Sequence, residues 1–236
     1  MALIVGQSAQ GKSMSLQTLK KPKGVMYLNT ESNKKLPFDN CKFQQYTITE
    51  PGEVEEAFVY AKDNSDEFHT IVIDTFTFLM EMYETQVINT AKDTREAWGQ
   101  YAQYIKRIMH NHIPQSPQNI LILAHAAPKF NEDEETINVA VPIKGSIGRT
   151  GFESFFSCVV AAKVKTLKEL EDYENDLLTY NEDEEELGIK HVFQTKLTKR
   201  SLNEKLRGPL NMWSKQETYI NNDAQALIDR LRKYYK

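Results

Sequence analysis

Eight consecutive residues near the amino end, Gly6-Gln7-Ser8-Ala9-Gln10-Gly11-Lys12-Ser13, constrain this chain more than anything else in it. They follow the short apolar run Ala2-Leu3-Ile4-Val5, which reads as a buried strand. They precede Met14 to Lys20, where Met14, Leu16 and Leu19 recur at helical spacing. A strand, a G-x-x-x-x-G-K-[ST] loop and a helix, in that order, make a phosphate cradle. Glycines at both ends let the backbone wrap closely around an anion. Successive N–H groups and the positive end of the helix then face it. Lys12 is predicted to reach the terminal phosphates of a nucleotide, and the Ser13 hydroxyl to hold Mg²⁺. The nucleotide-binding set is therefore Gly6, Gln7, Ser8, Ala9, Gln10, Gly11, Lys12, Ser13 and Met14.

With 236 residues the chain predicts one α/β domain with a sizeable core. Hydrophobic content of 40% and charged content of 26% are ordinary for a soluble protein, and no apolar run approaches a membrane span. The phosphate loop starts too early to follow a signal peptide, and Cys41 and Cys158 form no C-x-x-C pair. A cytoplasmic location is expected. The net charge of −4 is unevenly spread. Residues 169–186 are acidic and include the block Glu182-Asp183-Glu184-Glu185-Glu186. Residues 190–207 are basic, with Lys190, Lys196, Lys199, Arg200, Lys205 and Arg207, and Arg230, Arg232, Lys233 and Lys236 follow at the end. A local basic stripe suits a phosphate backbone, and it equally suits an ordinary solvated surface.

Further strands are expected at 24–29, 43–48, 69–74, 119–125, 155–164 and 191–197, with an edge or hairpin strand at 137–143. Helices are expected at 51–62, 76–92, 94–110 and 223–234, and Pro114 and Pro117 are expected to break the pattern. A polar, acidic stretch at 131–136 and a turn-rich segment at 145–151 complete the order. Strands alternating with helices predict a mostly parallel sheet flanked by helices, with a small C-terminal β/α extension. The expected division is a nucleotide-binding core over 1–168, an acidic segment over 169–188 that is an exposed insertion or a partly disordered loop, and a strand and helix over 189–236 that complete the single domain.

In an open parallel sheet, ligands bind beyond the carboxyl ends of the strands. Asp74 ends one strand after four apolar or β-branched residues, as a Mg²⁺-holding acid does, and it also suits a helix N-cap. Glu31 follows another strand, where a carboxylate activates water or merely decorates a turn. His125 ends a third, as a γ-phosphate sensor or as a structural histidine.

Taken together, these residues resemble the RecA-like branch of phosphate-loop ATPases. Asn29-Thr30-Glu31 matches the placement of that branch's catalytic glutamate, and Ile71-Val72-Ile73-Asp74-Thr75 matches its second motif. Leu121-Ile122-Leu123-Ala124-His125 falls where the branch has a polar sensor. More narrowly the chain is similar to the small phage-encoded RecA-like proteins of the Sak type, associated with single-strand annealing and recombination. Lys144-Gly145-Ser146-Ile147-Gly148-Arg149 and Tyr219-Ile220-Asn221-Asn222-Asp223 agree with it.

The resemblance implies Lys12, Glu31 and His125 as catalytic residues, Ser13 and Asp74 as metal ligands, and ATP with Mg²⁺ as substrate and cofactor. It implies that residues 126–148 form a mobile loop contacting single-stranded DNA. Lys129, Lys196, Lys199 and Arg200 are the candidate DNA contacts, and Lys144 and Arg149 the candidate cations acting on a neighbour's phosphates. Phe130, Phe152 and Trp213 are nearby aromatics that suit either the core or base stacking. RecA itself carries a polymerisation segment ahead of its core. This sequence shows no such segment, so a RecA-type filament is not expected, and oligomerisation by other surfaces stays open. Expected partners are single-stranded DNA, further copies of the chain and a single-strand DNA-binding protein, in the host cytoplasm, with no membrane. Two other readings remain open at this point: a small-molecule or nucleotide kinase, and a non-catalytic ATP-dependent switch.

Overall fold

The computed structural model describes residues 1–236 other than Asn40 and residues 132–134. The centre of the acidic stretch expected at 131–136 therefore lies outside the described residues.

The core is an eight-stranded sheet in the order β10-β9-β8-β1-β5-β4-β2-β3. Its strands are β1 (Ala2–Gly6), β2 (Val25–Asn29), β3 (Gln44–Thr47), β4 (Thr70–Asp74), β5 (Asn119–His125), β8 (Val159–Thr166), β9 (Ile189–Gln194) and β10 (Tyr219–Asn221). The strands from β3 across to β8 run parallel, while β9 and β10 add antiparallel. The mostly parallel α/β architecture is as the sequence predicts, and the C-terminal strands extend the same sheet. A separate two-stranded hairpin is formed by β6 (Ala127–Asn131) and β7 (Thr136–Ala140).

Both faces of the central strands are apolar, because each is covered. Leu3, Val5, Leu28, Ile71, Ile73 and Ile122 point into one layer with the helices α1 (Gly52–Asp63), α2 (Phe76–Tyr83) and α3 (Thr94–Arg107). Ala2, Ile4, Tyr27, Val72, Leu121 and Val160 point into the other, against Leu16, Leu19, Leu227 and Ile228. Asp93 caps α3 by accepting from Arg95 N and Glu96 N, and Asp223 caps the helix Ala224–Tyr234 through Ala226 N. Among the described residues, no helix is long and apolar enough to cross a membrane.

Several local expectations are corrected. The segment after the phosphate loop is a short 3₁₀ helix, Ser13–Thr18, not a helix reaching Lys20. Ser15 and Thr18 bond their hydroxyls back to the carbonyls of Lys12 and Ser15, and Pro22 opens the next turn. The helices expected to end at 92 and 110 pass instead through π turns at Glu84–Ile88 and Ile108–His112. The second then continues past Pro114 to Gln115. The turn-rich segment is the helix Gly145–Thr150, pinned by buried Ile147. A Cβ on Gly148 would meet Ile143 O at 2.1 Å, so that turn requires glycine. The 126–148 segment, expected as a mobile loop, contains the β6–β7 hairpin.

The acidic segment is also ordered. Its two capping boxes, Thr166 with Glu169 and Asn181 with Glu184, start short helices. Leu170 and Leu178 bury against Val192 and Tyr219. The apolar residues hidden among the carboxylates decide the outcome, and composition alone does not reveal them.

Candidate active site

The sheet register brings the predicted residues to one edge. Gly6 pairs with His125, and Asn29 with Asp74, so four parallel strands end side by side. Glu31 lies two residues past β2. Lys12, Ser13, Glu31, Asp74 and His125 line one cleft of about 260 Å³ together with Ser8, Ala9, Gly11 and Met14. Gly6, Gln7 and Gln10 line an adjoining cavity on the other side of the loop.

The loop needs unusual backbone. Gly11 has φ +90°, where a side chain is strained, and Ala9 lies at φ 62°. Lys12 is buried and donates to the carbonyls of Gly6 and Gln7, both at 2.9 Å. Its Nζ also lies 3.3 Å from His125 Nδ1. Burial pushes the Lys12 ammonium down to about 8, against the opposing pull of Asp74 and Glu31.

Asp74 is buried and accepts from Tyr27 OH at 2.9 Å and from the Ser13 hydroxyl. Burial raises its pKa. Its Oδ1 is buried with no hydrogen-bond partner. An orphaned carboxylate oxygen beside a serine hydroxyl fits a hard divalent cation, so the residues present suit Mg²⁺. Asp74 does not cap α2. Thr75 holds the N-cap position without a side-chain bond, and its carbonyl accepts from Thr30 Oγ1 at 2.7 Å.

Glu31 faces His125 Nε2 at 3.5 Å and Lys34 Nζ at 2.8 Å. The hydrogen bond to His125, with Lys34 adding to it, holds its carboxyl down at about 2 despite partial burial. His125 is steadied by its backbone N–H donating to Thr77 Oγ1 at 2.9 Å and by the edge of the Phe78 ring. Sequence reasoning missed Lys34, Lys35 and the Tyr27 phenol, all of which line this cleft. A hydroxyl in the middle of a buried strand was a usable signal for Tyr27, because it needs a partner.

The remaining candidates separate. Lys129 and Arg149 line a groove of about 830 Å³ with Phe130, Lys205 and Arg207. Lys196, Lys199 and Arg200 do not line it. Lys196 donates to Trp213 O at 3.1 Å, and Arg200 lies 3.6 Å from Glu169. Lys190, counted in the basic stretch, is buried and paired with Glu184 at 2.6 Å, so it contributes no surface charge. Lys144 sits outside the groove and pairs with Glu84 at 2.7 Å. Of the three aromatics, Phe152 and Trp213 are core residues, whereas Phe130 is exposed.

No curated protein matches the chain. The family described as AAA domain matches residues 1–201, the span that contains the phosphate loop, Asp74, Glu31 and His125. With that match over most of its length and this cleft at the edge of a parallel sheet, the chain belongs to the AAA domain family of P-loop nucleotide-binding proteins.

Proposed function

We propose that this protein is a RecA-like ATPase of the phage Sak type that hydrolyses Mg–ATP and acts, as an oligomer, on single-stranded DNA in recombination or replication. The observation that carries the hydrolytic reading is the convergence of Lys12, Ser13, Asp74, Glu31 and His125 on one cleft. Lys12 and the loop amides bind the phosphates. Ser13 and Asp74 hold Mg²⁺, which when bound neutralises charge on the transferring phosphoryl group.

Glu31 orients the attacking water and takes its proton as the oxygen bonds to the γ-phosphorus and ADP departs. A carboxylate held near 2 is a poor base. An incoming triphosphate competes for Lys34, which removes one of the contacts that hold Glu31 down and raises its basicity, while the His125 contact keeps it oriented. His125 touches both Lys12 and Glu31, and β6 begins two residues after it. Occupancy of the cleft therefore has a short covalent route to the hairpin.

The groove beside that hairpin supports single-stranded nucleic acid as the partner. Lys129, Arg149, Lys205 and Arg207 line it, with Phe130 59% exposed among them. Its two acids are already engaged: Glu153 accepts from Val141 N at 2.7 Å, and Glu204 pairs with Lys163. Cations beside an accessible ring suit a backbone and its stacked bases. Lys144 and Arg149 remain the candidates for reaching a neighbouring copy's nucleotide, Lys144 after leaving Glu84. ATP turnover with and without single-stranded DNA tests the whole reading. Hydrolysis that rises with DNA supports it, and phosphoryl transfer to a small acceptor instead of water would favour a kinase.

A further inference from the structure

The C-terminal strands reach back to the phosphate loop. Asn222, just after β10, donates from Nδ2 to the carbonyl of Gly11 at 2.8 Å. His191, on β9, lines the nucleotide cleft from the same side. A Cβ placed on Gly11 would lie 2.8 Å from both Asn222 Nδ2 and His191 Nδ1. A third tie comes from Gln10, whose Oε1 accepts from Val164 N on β8 at 2.9 Å. Asn222 lies outside the 1–201 span of the family match, so this support is separate from the motif itself.

Two atoms in this arrangement are unusual. His191 Nδ1 and Asn222 Oδ1 are buried and have no hydrogen-bond partner. Burying unpaired polar atoms is costly, and such groups persist where the surrounding structure holds them for a purpose. Here both belong to residues pressed against the glycine that carries the loop's least ordinary backbone.

We propose that Asn222 and His191 are positioning residues of the nucleotide site. Asn222 orients the Gly11 peptide, and hence the N–H of Lys12 that follows it, while His191 blocks the loop from relaxing towards β9. The inference rests on the nucleotide reading above and goes beyond it, because it makes the C-terminal strand part of the phosphate cradle. Asn222 acts through the loop and not on the nucleoside, so its loss weakens ATP and a bare polyphosphate alike.

The test compares full-length wild type, Asn222→Leu, Asn222→Ala and His191→Ala for binding of ATP and of inorganic tripolyphosphate, each with Mg²⁺. Asn222→Leu keeps roughly the volume and removes the donor without adding a charge beside the phosphates. It is expected to weaken both ligands by about tenfold, as loss of one hydrogen bond serving a charged site should. Asn222→Ala is expected to weaken both ligands at least as much, and His191→Ala to weaken both to a smaller degree. If Asn222 only fills space, Asn222→Leu stays within about twofold of wild type for both ligands, and the inference is overturned. It is equally overturned if ATP weakens while tripolyphosphate does not, because the contact is then with the nucleoside. Should Asn222→Ala fail to fold, the similarly sized Asn222→Leu still decides. Wild type binding neither ligand would sink the nucleotide reading, and this inference with it.

Discussion

Lys12 Nζ lies 3.3 Å from Nδ1 of His125, whose Nε2 faces Glu31 Oε1 at 3.5 Å. An ammonium has no lone pair to offer, so Nδ1 is the acceptor and Nε2 carries the hydrogen that Glu31 receives. One imidazole thus connects the loop lysine to the Glu31 carboxylate. Cutting that link by His125→Ala leaves the loop amides and Lys12 in place. ATP affinity should stay within about threefold, while kcat falls by about ten- to a hundredfold, less than outright loss of an acid–base group costs. Steady-state turnover beside equilibrium nucleotide binding checks it. A matched loss of both would return His125 to a structural role.

The pH dependence follows from the same triad. With nucleotide absent, Lys12 loses its proton near 8, well below its ordinary 10.5. A polyphosphate favours the charged form, so binding takes up a proton once the pH exceeds about 8. The dissociation constant for ATP should be flat up to that pH and then rise by up to about tenfold per unit. The folded-state value lies below the unfolded one, so the lysine's charge opposes folding, and nucleotide-free stability should climb as the pH rises through this window. Glu31, held near 2, stays ionised throughout and contributes nothing to this limb. Lys12→Arg, whose charge does not titrate there, should flatten the affinity profile even if its overall affinity is poorer. Titration calorimetry in buffers of different ionisation enthalpy reads the proton uptake directly.

Glu31→Gln separates an enzyme from a switch. The amide keeps the shape and can still accept from His125, but it takes no proton from water. Turnover should drop by about a hundred- to ten-thousandfold. Nucleotide affinity should hold or improve, because a negative charge beside the phosphates is gone. A protein with no turnover in the wild type would fit the switch reading. A Glu31→Gln variant at full speed would remove Glu31 from the chemistry.

Much of this site is legible in the sequence because its parts are local. Each of Gly6, Asp74 and His125 ends an apolar run, and a parallel sheet gathers such ends at one edge whatever the intervening helices do. What could not be read were partners set by register between distant segments. Tyr27 reaches Asp74 across 47 residues, and Asn222 reaches Gly11 across 211. Lys34 stood in a polar turn that gave no sign of folding back onto Glu31. Local propensity also misled where tertiary burial overruled it. Ile147 anchors a helix in a glycine-bounded segment, and Leu170 and Leu178 order a stretch whose charge suggested disorder.

The basic stretch at 190–207 likewise reads as one stripe in sequence and divides in space. Lys205 and Arg207 face the groove with Lys129, whereas Lys199 and Arg200 lie elsewhere and Arg200 is near Glu169. Each cation that neutralises a phosphate of single-stranded DNA contributes about 0.7 to the slope of log affinity against log salt. Removing three, by Lys129→Ala, Lys205→Ala and Arg207→Ala together, should shallow that slope by about 2, since all three side chains are exposed and their loss leaves the fold intact. Lys199→Ala with Arg200→Ala should change it by less than about 0.7. Phe130→Ala should weaken binding by about 1–3 kcal/mol without altering the slope, because stacking releases no counterions. Fluorescence anisotropy with an oligothymidylate at several salt concentrations measures all three. If the Lys199/Arg200 pair carries the loss and the groove triple does not, the DNA path runs along the segment after β9, and the groove serves another ligand.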